Sequence, residues 1–330
     1  MRDCLHVLTG PTASGKSDVA VALAPFLNAE VVSADSMNVY RAMDIGTAKP
    51  SLENRRAVRH HLIDVADPSE TFSVARFVAL ARRAVADIRG RGRVPLLVGG
   101  TPLYMRALLG GLFEGPGADR DLRRELMQMA ASGEDGPRRL HGRLAQVDPS
   151  SARRLHPHDV KRVVRALEVY ALTGRPISAL QTQWERAEGP PHGLWILARS
   201  REDLRARIAD RTRLMFERGL VQEVAHLLAR PGGLSRTARA AVGYAEAIGH
   251  LEQGVPLAET LERIRRRTWR VARKQMTWLR GFRDAAWVQV ASEEPQKKVA
   301  KRLYKRMRSW HNHGPVVGEQ PSGRSNSVPA

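Results

Sequence analysis

Gly10-Pro11-Thr12-Ala13-Ser14-Gly15-Lys16-Ser17 satisfies every fixed position of the phosphate-loop pattern G-x-x-x-x-G-K-[ST]. Leu5-His6-Val7-Leu8 ahead of it reads as a short buried strand. Asp18 to Leu27 behind it reads as a helix with Val19, Ala22, Leu23 and Phe26 on one face. A strand, a glycine-rich turn and a helix in that order let backbone N–H groups close around phosphate oxygens at the positive end of the helix. Lys16 adds a point charge, and the Ser17 hydroxyl suits Mg²⁺. All eight residues, Gly10 to Ser17, are candidates for holding a di- or triphosphate.

Working outward, residues 4–9, 30–34 and 94–98 are β-rich, and helical patterns separate them. Ser73 is a candidate N-cap for a helix whose apolar positions Val74, Phe77, Val78, Ala81, Val85 and Ile88 keep a helical period, stopping at Gly90-Arg-Gly92. Alternating strands and helices predict an α/β fold, a parallel sheet with helices on both faces. The pattern changes near Gly115-Pro-Gly117. From there to about residue 189 the chain reads as helical, with helices over 121–131 and 159–173, before Leu194 to Ala198 returns as a strand. Further helices are expected over 201–218, 220–229 and 258–280. The predicted organisation is a catalytic core over 1–117 and 190–290, a helical insertion over 118–189, and a polar, disordered tail over 291–330.

The chain of 330 residues carries a formal net charge of +20, which points to a polyanionic partner, nucleic acid or an anionic surface. One cysteine, Cys4, excludes intramolecular disulfides and a cysteine-built zinc site. No apolar run near the N-terminus is long enough to span a bilayer, and Lys16 and Asp18 interrupt any signal-peptide pattern. A soluble, cytoplasmic protein without a membrane partner is expected.

Asp35 follows the strand 30–34, at the edge where open α/β sheets bind ligands. An acid there can hold Mg²⁺ or accept a proton. The strand 94–98 ends in Gly99-Gly100-Thr101 and lacks the metal-binding acid that a P-loop NTPase places there. The adjacent histidines His60 and His61 point to opposite faces of an extended strand and suit a structural role better than metal ligation. Arg263 to Arg283 holds nine Lys/Arg residues and no acid, with Trp269, Trp278 and Phe282 interleaved. Cations for phosphates and aromatics for bases are what single-stranded RNA recognition uses. Arg153 to Arg165 is a second basic stretch.

Taken together, these motifs resemble the bacterial tRNA dimethylallyltransferases (tRNA isopentenyltransferases). The matching stretches are Gly10–Ser17, Asp35-Ser-Met-Asn-Val-Tyr-Arg, Met43-Asp-Ile-Gly-Thr-Ala-Lys-Pro50, His60-His-Leu-Ile-Asp64 and Leu96-Leu-Val-Gly-Gly-Thr101. They continue with His156-Pro-His-Asp159, Arg165-Ala-Leu-Glu-Val169, Val242-Gly-Tyr244 and Arg273-Lys-Gln-Met-Thr-Trp-Leu-Arg280, in order over roughly residues 5–290. The resemblance implies a P-loop fold and Mg²⁺-dependent transfer of a dimethylallyl group. The donor is dimethylallyl diphosphate, and the acceptor is N6 of adenosine 37, 3′ of the anticodon, in tRNAs reading codons that begin with U. It implies catalytic roles for Asp35 as base, Thr101 and Arg211. It implies contacts with the tRNA anticodon stem-loop from Asp35, Ser36, Met37, Asn38, Thr101, Arg123, Lys161, Arg162, Arg165, Arg273, Lys274, Gln275, Thr277, Trp278 and Arg280, and action as a monomer. Asn38 stands where the family often has Gln, and Ala245 where a basic residue is usual. A small-molecule kinase, an adenylate isopentenyltransferase and an RNA-binding module without activity are the competing readings.

Overall fold

The computed structural model describes residues 4–113, 115–181, 192–282 and 285–313, and they fall into two units: one formed by residues up to 109 and from 189 onward, the other by 110–188. The first unit opens with β1 (Leu5–Thr9), α1 (Lys16–Leu27), β2 (Ala29–Ser33), α2 (Leu52–Ala57), β3 (His60–His61), α3 (Val74–Gly90), β4 (Val94–Gly99) and α4 (Pro102–Gly110). The second contains α5 (Arg120–Ala131), α6 (Gly136–Val147), α7 (Pro149–Arg154), α8 (Val160–Thr173) and α9 (Ile177–Leu180). The chain returns to the first with β5 (His192–Ala198), α10 (Arg201–Glu217), α11 (Leu220–Ala229), α12 (Arg236–Arg239), α13 (Tyr244–Gln253), α14 (Leu257–Leu279), β6 (Ala286–Gln289) and α15 (Gln296–His313).

The six strands form one parallel sheet in the order β3-β2-β4-β1-β5-β6. β1, β2 and β4 are buried at every position, so their apolar residues occupy both faces rather than alternating with exposed ones, and the polar His6, Thr9, Glu30 and Ser33 are buried with them. Leu8, Val31, Leu96, Trp195 and Val288 pack with Val19 and Leu23 of α1 and with Val299, Leu303 and Met307 of α15. α3 lies against β2 and β4, and the alternate strand residues Val7, Val32 and Leu97 are equally buried. Cys4, just ahead of the central strand β1, is buried too, and desolvation raises its thiol pKa.

The Ser73 side chain accepts the Arg76 N–H at 3.1 Å and starts α3 as the sequence predicts. Three expectations need correcting. The buried face of α1 is Val19, Ala20, Leu23, Ala24 and Leu27; Phe26 is 41% exposed and stacks on Tyr304. The helical unit begins at 110 rather than 118. Residues 296–313 are not a disordered tail but the helix α15, because a stripe of Val299, Ala300, Leu303 and Met307 reaches the sheet core while its lysines face outward. The remainder of the proposed tail, from 314, lies outside the described residues.

Candidate active site

The carboxyl ends of β1, β2 and β4 lie side by side, so the phosphate loop, Asp35 and Gly99-Gly100-Thr101 meet at one sheet edge. A cavity of about 190 Å³ opens there. Its walls include Thr12, Lys16 and Ser17 from the phosphate loop and α1, Asp35 to Asn38 after β2, Thr101, Arg211 of α10 and Gln275 of α14. Each catalytic candidate read from the sequence therefore faces one space.

The crossing at β4 requires glycine. A Cβ at Gly99 would collide with the Ala34 carbonyl, and one at Gly100 would stand 2.7 Å from the Gln275 amide nitrogen and 3.3 Å from the Lys16 ammonium. That close approach lets the Thr101 N–H reach the Ala34 carbonyl at 3.3 Å and its hydroxyl accept the Ser36 N–H at 3.1 Å. Asp35 turns back on its own loop: its Oδ1 accepts the Met37 N–H at 2.9 Å. Among the described residues its second oxygen has no hydrogen-bond partner. Asn38 is nearly buried, and its side-chain oxygen is likewise without a partner among the described residues.

Three arginines hold the phosphate loop, and one of them, Arg211, also lines the cavity. Arg199 Nε donates to the Ser14 carbonyl at 2.8 Å, and Arg207 Nε to the Ala13 carbonyl at 2.8 Å. Arg211 donates to Thr12 Oγ1 at 3.2 Å. Arg199 is itself fixed by Asp203 at 2.8 Å. Only Arg211 was assigned from the sequence; the spacing of 207 and 211 along one helix was the available signal for the second. Burial pushes the Lys16 ammonium down to about 8, partly opposed by Asp35 and reinforced by Arg211. Burial lowers Arg211 as well, with Asp35 and Asp18 opposing. Cations held in so poorly solvated a place favour an anionic ligand that restores their partner.

The predicted RNA contacts divide. Arg273, Lys274, Thr277 and Arg280 are exposed along α14 and its end. Trp278 is half-buried, with the Arg106 guanidinium 5.1 Å from its ring centroid; Arg205 sits 4.9 Å from that of Trp269. Neither tryptophan belongs to the core. Gln275 instead turns inward: its Oε1 accepts the Thr12 N–H at 2.8 Å and its Nε2 donates to the Gly100 carbonyl at 2.6 Å. Its amide is thus a strut between two loops of the cleft, at the cavity wall rather than on the exposed face of α14. In the helical unit, Arg123 and Arg165 both pair with the buried Glu168, at 2.7 and 2.5 Å, while Lys161 and Arg162 are exposed. His60 lines the cavity, and His61 bonds Glu30 at 2.7 Å, the structural use expected. Among the described residues no three His, Cys, Asp or Glu side chains group as a metal site.

The family model for IPP transferase matches residues 38–282, and that for isopentenyl transferase matches residues 3–67. A tRNA dimethylallyltransferase of Anaeromyxobacter dehalogenans is 47% identical over 302 residues, 92% of this chain and 99% of the relative. One from Methylococcus capsulatus is 47% identical over 305 residues, 91% and 97% of the two chains. Among solved structures, the full-length tRNA isopentenylpyrophosphate transferase of Bacillus halodurans aligns with a TM-score of 0.70 at 37% identity, covering 94% of this chain and 98% of that one. A eukaryotic dimethylallyltransferase acting on tRNA aligns with a TM-score of 0.78 at 26% identity, covering 96% and 81%. A phosphate loop and an acid around one cleft, with relatives matched over nearly their full length, place this chain in the tRNA dimethylallyltransferase family.

Proposed function

We propose that this enzyme transfers the dimethylallyl group of dimethylallyl diphosphate to N6 of adenosine 37, the base 3′ of the anticodon, in tRNAs that read codons beginning with U. The observation that carries the reading is the single cavity shared by the Asp35 carboxylate and the Lys16, Ser17 and Arg211 side chains. The lone pair of an exocyclic adenine amine is delocalised into the ring, so the amine attacks only as its proton is removed. Asp35, anchored through one oxygen, offers the other to that proton. As the C–N bond forms, the allylic C–O bond breaks and its electron pair leaves on diphosphate. Lys16, Arg211 and the loop N–H groups face the charge that builds there, and preorganised donors at such a place are worth several kcal/mol. Thr101 fixes the Ser36 backbone where the base must enter.

The residues fit Mg²⁺. Ser17 faces the cavity from the first turn of α1, and a Mg²⁺ ion takes most of its ligands from phosphate oxygens and water, needing no protein cage. Ser17 would hold it, and the ion would neutralise charge on the diphosphate. The exposed cations of α14, together with Lys161 and Arg162, would bind the anticodon stem-loop and offset the few kcal/mol needed to unstack the target base. Arg123 and Arg165 would act there by shaping the insertion around Glu168.

The test is the purified protein with Mg²⁺, dimethylallyl diphosphate and an anticodon stem-loop, following pyrophosphate release and the RNA mass. Asp35→Ala is expected to lose about a hundredfold or more in turnover while binding both substrates normally. Normal turnover in that variant removes the proposed base, and alkylation of free adenylate in place of RNA removes the proposed acceptor.

A further inference from the structure

Two sequence motifs have no part in the chemistry above: Met43 to Pro50, and Val242-Gly243-Tyr244. Glu223 of α11, which no motif flags, joins them. Its Oε2 accepts the N–H groups of Asp44 and Ile45 at 3.0 and 2.8 Å. Its Oε1 accepts the Gly46 N–H at 3.3 Å and the Tyr244 hydroxyl at 2.5 Å. Successive backbone N–H groups that converge make an anion nest, here filled by the protein's own carboxylate. Tyr244 is fully buried, and its ring stands where a Cβ on residue 46 would be, which is why that position is glycine. Burial, with the neighbouring Glu223 charge, keeps the phenol protonated and donating.

The other side of the clamped loop is a wall of the cleft, through Gly46, Thr47 and Ala48. The Thr47 carbonyl accepts a hydrogen bond from Arg211 at 3.3 Å, and the same guanidinium donates to Thr12 Oγ1. Arg211 is therefore suspended between the phosphate loop and a loop whose position Glu223 sets.

We infer that Glu223, with Tyr244, is a positioning residue for the donor: it fixes the Met43–Pro50 loop so that the Thr47 carbonyl aims the Arg211 guanidinium at the diphosphate. This rests on the reading that the cleft holds a diphosphate.

The experiment measures inorganic pyrophosphate binding by calorimetry, alongside steady-state kinetics in both substrates. Glu223→Gln replaces one accepting oxygen with an amide NH₂, which cannot accept the backbone N–H groups of Asp44, Ile45 and Gly46. Its pyrophosphate Kd and donor KM are expected to rise about tenfold and kcat to fall with them, because Arg211 faces the charge that builds on the leaving diphosphate, while tRNA KM stays within about twofold. Tyr244→Phe moves the same quantities less, in the same direction. Added to Arg211→Ala, Glu223→Gln changes pyrophosphate binding no further. Unaltered pyrophosphate affinity in Glu223→Gln overturns the inference, as does an equal loss with and without Arg211, which would make the clamp a mere staple. If Glu223→Gln fails to fold, Tyr244→Phe carries the same cycle. Wild-type protein that binds pyrophosphate without alkylating RNA sinks the proposed function and leaves the clamp standing. Alkylation by the wild type, with normal pyrophosphate affinity in Glu223→Gln, sinks the clamp alone.

Discussion

Lys16 has to carry its charge when the donor arrives, and its surroundings work against that. Desolvation brings its ammonium down to about 8 in the free enzyme. Below that pH the cation is present; above it the group is neutral, and binding a diphosphate must then draw a proton from solvent. Donor KM should therefore be flat to about pH 8 and rise by up to about tenfold per unit beyond it, while tRNA KM does not follow the same break. Initial rates against donor concentration from about pH 7 to about pH 9.5 check this. At this scale the sequence was legible wherever a residue type is dictated by ligand chemistry, as for Lys16, Ser17 and Asp35. It was opaque where a side chain serves another part of the protein. Gln275 sits among exposed cations on α14 and looks like one more polar contact, yet its amide spans two loops of the cleft. Arg123 and Arg165 look free until Glu168 is placed beside them.

At the scale of the element, α15 is the instructive case. Its mean composition is that of a solvated tail, seven of its eighteen residues being lysine or arginine. Burial is decided by four positions, Val299, Ala300, Leu303 and Met307, which share one stripe against α1 and the sheet. Composition averages such a stripe away, whereas periodicity keeps it. Leu303→Ala is expected to cost about 2–5 kcal/mol, and denaturant unfolding measures it. A drop below about 0.5 kcal/mol would show α15 to be a dispensable appendage. β6 was missed for a different reason. Four residues next to a polar stretch become a strand only because β5 offers them an edge, and that partner is distant in sequence. By contrast β1, β2, β4 and α3 announced themselves, the strands as short segments rich in β-branched and apolar residues and the helix by its Ser73 cap.

At the scale of the whole molecule, charge dominates. A net +20 on 330 residues makes the protein a polycation, and the RNA binding proposed for it would draw largely on counterion release. Stem-loop binding should weaken steeply with salt, the logarithm of affinity falling by about 0.7–0.9 per phosphate engaged for each unit in the logarithm of salt concentration. Filter binding between about 50 and 300 mM salt measures that slope. Charge-reversing Arg273 and Lys274 together should lower it by about 1–2, with donor KM unmoved; an unchanged slope would exclude α14 from the RNA interface. The residues of the cleft come from positions between 12 and 275, so no local reading could assemble it. The phosphate loop nonetheless identified the sheet edge at which the others collect.

The lone sulfhydryl adds a practical consequence. Cys4 is shut in at the foot of the central strand and its thiol is held in the unreactive form. The folded protein's one native thiol is thus expected to react slowly with alkylating probes. A cysteine engineered on any exposed face, such as that of α14, would accept a fluorophore preferentially, without first stripping the chain of competing thiols.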